Sequence, residues 1–87
     1  MEVIFEPDAL EDIEYFKLAG DQSMLKKIRQ LIENMKETPF EGLGKPEMLR
    51  HHLKGFWSRR INEEHRLVYE VNEHSIVIIS CKYHYKK

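Results

Sequence analysis

The chain has 87 residues, a length that suits one domain, so we expect a single domain over residues 1–87. Hydrophobic residues make up 41% and charged residues 33%, a balance that excludes the disordered class. The net charge of −1 hides an asymmetry, because residues 1–44 carry five Lys/Arg and ten Asp/Glu whereas residues 45–87 carry nine and five. Unless the charges cluster by chance, a polyanion would be drawn to the C-terminal half.

The N-terminus and the single cysteine indicate the compartment. Cys81 cannot form an internal disulfide and lies in an apolar run, where a buried thiol in a reducing compartment is expected. The first residues lack the pattern of a signal peptide, and no window approaches the ~20 apolar residues of a membrane span. We therefore expect a cytoplasmic protein without membrane contact.

The N-terminal half reads as one strand and two helices. Residues 2–5 suit a short strand, and Pro7 suits the first turn of a helix that Gly20 ends. Asp21 can cap a second helix, since hydrophobic residues then recur at three-to-four spacing. These residues are Met24, Leu25, Ile28, Leu31, Ile32 and Met35. Thr38-Pro39 ends the helix, because the residue before a proline avoids the helical conformation.

The C-terminal half predicts a loop and a three-stranded meander. Residues 40–47 contain two glycines and a proline and suit a loop. Residues 56–61, 65–71 and 75–83 read as strands joined by short polar turns, which makes neighbouring strands antiparallel. The sequence thus predicts an α+β fold with an N-terminal strand and two helices packed on one face of a mainly antiparallel sheet.

Strand alternation predicts which residues face away from the helices. Leu67, Tyr69 and Val71 share one face of their strand and suit the helices, which leaves Arg66 on the other face. In the last strand, Ser80, Lys82 and His84 share a face and would join Arg66. This uncovered face is the candidate site.

Several kinds of site are missing from the sequence. It contains no Gly-rich phosphate loop, paired Cys-x-x-Cys, Gly-x-Ser-x-Gly or carboxylate cluster suited to magnesium, and His51-His52 has no obvious third ligand. We therefore expect no metal and no cofactor. What remains is a group of cations interleaved with aromatic residues, which suits single-stranded nucleic acid. The cations are Arg50, Lys54, Arg59, Arg60, Arg66, Lys82 and His84. The alternative is a solvated sheet face with its aromatic rings in the core.

Four motifs in order carry a resemblance that spans nearly the whole chain, from the first strand to Tyr85. They are Thr38-Pro-Phe-Glu-Gly-Leu-Gly-Lys-Pro-Glu47, Gly55-Phe-Trp-Ser-Arg-Arg-Ile61, Glu64-His-Arg-Leu-Val-Tyr69 and Cys81-Lys-Tyr-His-Tyr85. With them the chain closely resembles the YoeB/Txe toxins of the RelE superfamily. The resemblance implies a RelE-like, microbial-ribonuclease-like fold and a toxin that cleaves mRNA in the ribosomal A site. The implied partners are a YefM-like antitoxin, the 70S ribosome with its mRNA, and a second copy in a homodimer.

The chemistry of RNA cleavage explains the residues that the resemblance singles out. Attack by the 2′-hydroxyl needs a base, a cation for the transition state and an acid for the leaving oxygen, and Glu47, Arg66 and His84 supply one of each. In the family pattern these are the base, the phosphate-stabilising group and the acid, with Tyr85 assisting. Arg50, Lys54, Arg59, Arg60 and Lys82 would hold phosphate or ribosomal RNA, and Glu64 would orient its neighbours. Two rivals stay open: a non-catalytic ribosome or RNA binder, and a module that only binds a partner peptide.

Overall fold

The computed structural model describes residues 1–82, which form two α-helices and a five-stranded sheet. Helix α1 spans Pro7–Leu18 and helix α2 spans Gln22–Glu37. The strands are β1 (Glu2–Phe5), β2 (Glu47–Met48), β3 (Phe56–Arg60), β4 (Arg66–Val71) and β5 (Ser75–Ser80), with a 3₁₀ turn at His51–Leu53. The sheet order is β1-β5-β4-β3-β2, with β1 parallel to β5 and every other pair antiparallel. The predicted α+β fold is confirmed.

Helix α2 supplies most of the helical part of the core, as its spacing predicts, and α1 adds Ala9 and Phe16. Met24, Ile28, Leu31 and Met35 are buried along one side. The Asp21 carboxylate caps the helix by accepting a hydrogen bond from the backbone N–H of Met24 at 3.2 Å. Within residues 1–82, no helix combines the length and the apolar character needed to cross a membrane.

The sheet meets the helices with one face, and strand alternation selects its residues. Leu67 and Tyr69 of β4 are fully buried in the core, together with Ile76 and Ile78 of β5, and Val71 packs against them. The prediction that alternate residues of β4 face the helices is therefore confirmed. We call the opposite side of the sheet the open face.

The last strand is shorter than the sequence predicts. Regular pairing with β4 is interrupted, because Tyr69 lies opposite Ile78 whereas Val68 lies opposite Ser80. An extra residue in one strand bends it and breaks the alternation of side chains. The strand ends at Ser80, and the N–H of Cys81 donates to the Asp12 carboxylate of α1 at 2.9 Å. The chain thus leaves the sheet beside α1, and the prediction that the strand continues through Cys81 and Lys82 is wrong.

Cys81 lies in the core, as its apolar surroundings predict. Burial, with the nearby negative charge of Asp12, raises the pKa of the Cys81 thiol to about 12. A thiol with this pKa stays protonated at neutral pH and is a poor nucleophile. Cys81 is therefore a packing residue.

Candidate functional site

The open face is organised in rows that run across the strands. Residues directly opposite one another in neighbouring strands share a face. The middle row consists of Glu47, Ser58, Val68 and Ser80. Beside it, Arg60 of β3 lies opposite Arg66 of β4, and we call this pair the basic row.

Glu47 stands at the edge of the sheet, in a strand of two residues that the sequence analysis missed. Its side chain is exposed, and β2 pairs it with Ser58 of β3. The left-handed backbone of Lys45, with φ of 52°, and the rigid ring of Pro46 direct the chain into β2. No hydrogen bond or ion pair holds the Glu47 carboxylate within the described part of the chain. It is available to a substrate as an acceptor.

The two positive charges of the basic row are not balanced by ion pairs within residues 1–82. Like charges directly opposite one another on a sheet face repel. Arg60 is exposed and Arg66 half-buried, and in residues 1–82 neither forms an ion pair with a carboxylate. The repulsion between the two guanidinium groups falls when an anion lies between them, so this row suits a phosphate.

Strand geometry sets the distance between the Glu47 carboxylate and the basic row. Arg66 lies two strands away from Glu47 and two residues along β4 from the middle row, which places the two Cα atoms about 12 Å apart. Both side chains project from the same face. An arginine and a glutamate can together span that gap, so both can contact one phosphodiester group.

The sheet surface between the Glu47 carboxylate and the basic row consists of buried residues. Ser58 and Val68 of the middle row and the neighbouring Leu49 are almost inaccessible to solvent. The Ser58 hydroxyl, next to Glu47, is the buried side-chain oxygen that finds no hydrogen-bond partner in the described structure. A buried polar group without a partner is costly and rare, and a role at a functional site is one reason to keep it. Ser58 was not among the site residues predicted from the sequence.

Two further predicted cations lie at the other end of β3. Arg50 and Lys54 flank the 3₁₀ turn His51–Leu53, and both are exposed. The length of β3 separates them from Arg60, and Glu47 lies opposite the middle of that strand. Cations therefore stand on both sides of the carboxylate, an arrangement that a nucleic acid strand crossing the face could contact at successive phosphates.

The prediction that Arg59 holds phosphate is wrong. Its side chain is fully buried on the helix side of β3. The Nε–H donates to the Tyr69 hydroxyl at 3.1 Å, and Nη1 donates to the Asn34 side chain at 2.6 Å and to the Leu43 carbonyl at 3.1 Å. Nη2 donates to the carbonyls of Thr38 at 2.6 Å and Glu41 at 3.0 Å. All five N–H donors of the guanidinium are thus used inside the protein.

Lys82 also departs from its predicted position. Alternation with Ser80 predicts that Lys82 joins Arg66, but the strand ends at Ser80. The Lys82 ammonium lies 3.6 Å from the centroid of the Tyr15 ring on α1, a cation–π contact. The prediction that it shares the open face with Arg66 is wrong.

Glu64 lies in the turn between β3 and β4. Its exposed carboxylate is 3.5 Å from Nε2 of the adjacent His65, whose ring packs edge-on against Phe16 in the core. The neighbour that the Glu64 carboxylate contacts is therefore His65.

Two predicted catalytic residues, His84 and Tyr85, lie outside the described residues. Among residues 1–82, no three His, Cys, Asp or Glu side chains are grouped so that they could hold a metal ion.

Comparison with models of protein families identifies the family of this chain. Residues 5–85 match the model of the YoeB-like toxin of bacterial type II toxin–antitoxin systems. The chain belongs to this family. YoeB toxin from Escherichia coli K12 is 51% identical over 85 residues, which cover 98% of this chain and 100% of the relative.

Solved YoeB structures share the fold over almost the full length. A YoeB/ParE toxin from Agrobacterium tumefaciens aligns with a TM-score of 0.92 at 42% identity, covering 98% of this chain and 100% of that one. YoeB from Staphylococcus aureus, solved as a dimer, aligns with a TM-score of 0.89 at 49% identity over 98% of both chains. YoeB from S. aureus was also solved in a heterotetrameric YoeB–YefM complex, which aligns with a TM-score of 0.87 at 49% identity over 98% of both chains.

One signal in this YoeB-like sequence could have corrected the prediction for Arg59. Alternation along β3 puts Ser58 and Arg60 on one face and Trp57 and Arg59 on the other. Trp57 packs against the core, so Arg59 shares the helix side. Adjacent arginines in a regular strand cannot both lie on the open face.

Removal of one guanidinium of the basic row should weaken RNA binding. We expect Arg66→Ala to lower the affinity for a non-cleavable 2′-O-methyl RNA strand roughly tenfold, since a charge-assisted hydrogen bond is lost. The slope of log affinity against log salt concentration should become shallower by about 0.7 per lost phosphate contact. Fluorescence anisotropy measures both quantities. Arg29→Ala, on the exposed side of α2, is the control, and an equal loss with that variant would contradict a specific basic row.

Proposed function

We propose that this YoeB-like toxin is an mRNA endoribonuclease that acts in the ribosomal A site. The observation that carries the proposal is that Glu47 and the basic row project from one sheet face without partners in residues 1–82. A free carboxylate beside uncompensated guanidinium groups suits proton removal next to a phosphate. The resemblance of the motifs around Glu47 and Arg66 to the YoeB pattern supports the same proposal.

The proposed reaction needs one base, one cation and one acid. The Glu47 carboxylate takes the proton of the 2′-hydroxyl, and the 2′-oxygen forms a bond to phosphorus. Arg66 stabilises the additional negative charge of the transition state. The bond from phosphorus to the 5′-oxygen breaks, and His84, assisted by Tyr85, gives that oxygen a proton. The products are a 2′,3′-cyclic phosphate and a 5′-hydroxyl, and no step requires a metal ion.

The limited strength of these groups explains why the ribosome would be required. Carboxylates are weak bases at neutral pH, and general acid–base catalysis contributes about 10²–10⁴-fold. Alignment of the 2′-oxygen with the phosphorus can contribute far more, through effective molarities of about 10⁵–10⁸ M. A ribosome that holds the message in a bent conformation supplies this alignment, whereas the toxin supplies the proton transfers. The toxin would therefore act in the cytoplasm and arrest translation.

The partners of the solved S. aureus toxin suggest partners for this chain. That toxin has been solved as a dimer and with YefM. We infer that a YefM-like antitoxin also holds this toxin inactive, with a flexible segment over the open face. Acidic side chains in that segment would form ion pairs with Arg60 and Arg66. Release of the segment would then uncover Glu47. A homodimer is the proposed assembly without antitoxin.

Variants of the proposed base and acid test the enzymatic mechanism. On ribosomes programmed with a defined message, we expect wild type to give new mRNA ends at the A site. Glu47→Gln and His84→Ala should lower the single-turnover rate by about 10²–10⁴-fold, because each removes one proton transfer. Primer extension measures the rates, and Glu73→Ala, in the exposed turn before β5, should retain wild-type cleavage. An intact message with arrested translation would overturn the enzymatic proposal in favour of a non-catalytic ribosome binder.

The substrate can be altered to test the route of cleavage. A message with a single 2′-deoxy nucleotide at the cleavage position should stay intact, because it lacks the attacking oxygen. A phosphorothioate at the scissile phosphate should slow cleavage equally in Mg²⁺ and in Mg²⁺ supplemented with thiophilic Cd²⁺. Cleavage of the deoxy message would contradict 2′-hydroxyl attack. If Cd²⁺ restores the cleavage rate of the phosphorothioate message, that result would contradict a metal-free reaction.

A further inference from the structure

Arg59 lies at the centre of a buried network that ties β3 to the segment before Glu47. Its five donors end on the side chains of Tyr69 and Asn34 and on three backbone carbonyls of residues 38–43. The Tyr69 hydroxyl accepts from Arg59 and donates to the Pro39 carbonyl at 2.8 Å. Burial raises the pKa of that hydroxyl, although Arg59 opposes the shift, so the tyrosine keeps the proton that it donates.

The acceptors of this network are all uncharged. A buried guanidinium without a carboxylate is costly, and hydrophobic residues of similar volume often stabilise a core as well or better. Packing alone is therefore a weak reason to place an arginine here. The number and directions of its donors are what a lysine or methionine could not reproduce.

Residues 38–43 have no regular secondary structure of their own, so these bonds hold them. The Asn34 side chain, at the end of α2, accepts from Arg59 and also from the N–H of Leu43 at 3.0 Å. Directly afterwards, the Gly44 carbonyl accepts from the N–H of Arg60 at 2.7 Å. Gly44 has φ of 79°, and a Cβ there would lie 2.9 Å from the Arg60 carbonyl oxygen, so this close approach requires glycine. The chain thus reaches β2 along a path fixed from β3.

Strand β2 has few pairing bonds with which to fix its own register, and the N–H of the following Leu49 adds one to the Phe56 carbonyl at 2.9 Å. The strand has two residues, Glu47 and Met48, paired with Ser58 and Trp57. A slip by one residue turns every side chain of a strand to the other face. Such a slip would move the carboxylate away from the basic row and place Met48 on the open face.

We propose that Arg59 is a positioning residue that sets the register of β2 and thereby directs Glu47 to the open face. This role rests on the proposed function of Glu47 as the base, but the register itself can be measured separately. Arg59 does not contact the substrate. It acts through residues 38–44, and its neighbours in β3 provide the middle row and the basic row.

The experiment compares Arg59→Met, Arg59→Lys and the milder Tyr69→Phe with wild type. Cross-strand NOEs between residues 47–48 and residues 57–58 report the register by NMR. We expect Arg59→Met to lose these NOEs and to lower the saturated rate of mRNA cleavage by about 10²-fold, the effect of a misplaced catalytic group. The toxin concentration that gives half of the maximal cleavage rate should change less than the maximal rate itself. Arg59→Lys should recover part of both signals, and Tyr69→Phe should show a smaller loss of both.

Two controls separate positioning from general stability. Ile28→Ala removes a buried core contact on α2 and should lower the melting temperature while leaving the NOEs and the rate intact below it. In a double-mutant cycle, Arg59→Met should add little to Glu47→Gln, because both act through one carboxylate. Additive rate losses, native NOEs in Arg59→Met, or an equal rate loss in folded Ile28→Ala would overturn the proposal. If wild type cleaves no mRNA, the proposed function fails, and the NOEs still decide the role of Arg59 in the register.

Discussion

Antiparallel pairing of β2 with β3 and of β3 with β4 is the constraint on which the candidate site depends. It puts Glu47, Ser58 and Val68 in one row and Arg60 opposite Arg66 in the next. These side chains come from sequence positions up to about twenty apart, and no local rule brings them together. Strands β3 and β4 pair at five positions, whereas β2 has two residues and depends on the bonds that hold the segment before it. The most vulnerable point of the site is therefore its carboxylate.

The sequence patterns predicted the features that depend on residues close together in the chain. The amphipathic spacing of α2, its Asp21 cap and its end before Pro39 all act within a few residues, and the structure confirms them. Alternation in β4 predicted that Leu67 and Tyr69 face the core, because one covered face imposes a period of two. The resemblance predicted the family, which the match over residues 5–85 confirms.

The failures came from interactions between distant parts of the chain. The hydrogen-bond partners of Arg59 lie 10 to 25 residues away in the sequence. The charge of an arginine does not show whether its guanidinium binds carbonyl groups inside the protein or is free to bind phosphate. The end of β5 depends on a register irregularity and on a hydrogen bond between Cys81 and Asp12, 69 residues apart. Strand β2 is too short to carry a pattern. Each of these features requires the tertiary structure before it can be stated.

The central proposal is that the exposed Glu47 carboxylate and the half-buried Arg66 guanidinium act on the same phosphodiester from one face of the sheet. The structure of this toxin on a ribosome whose message carries a 2′-O-methyl group at the cleavage position would test it most directly. We expect a Glu47 carboxylate oxygen within about 3.2 Å of the 2′-oxygen and Arg66 on the adjacent phosphate. A message seated on another surface of the toxin, with Glu47 facing away from it, would contradict the claim.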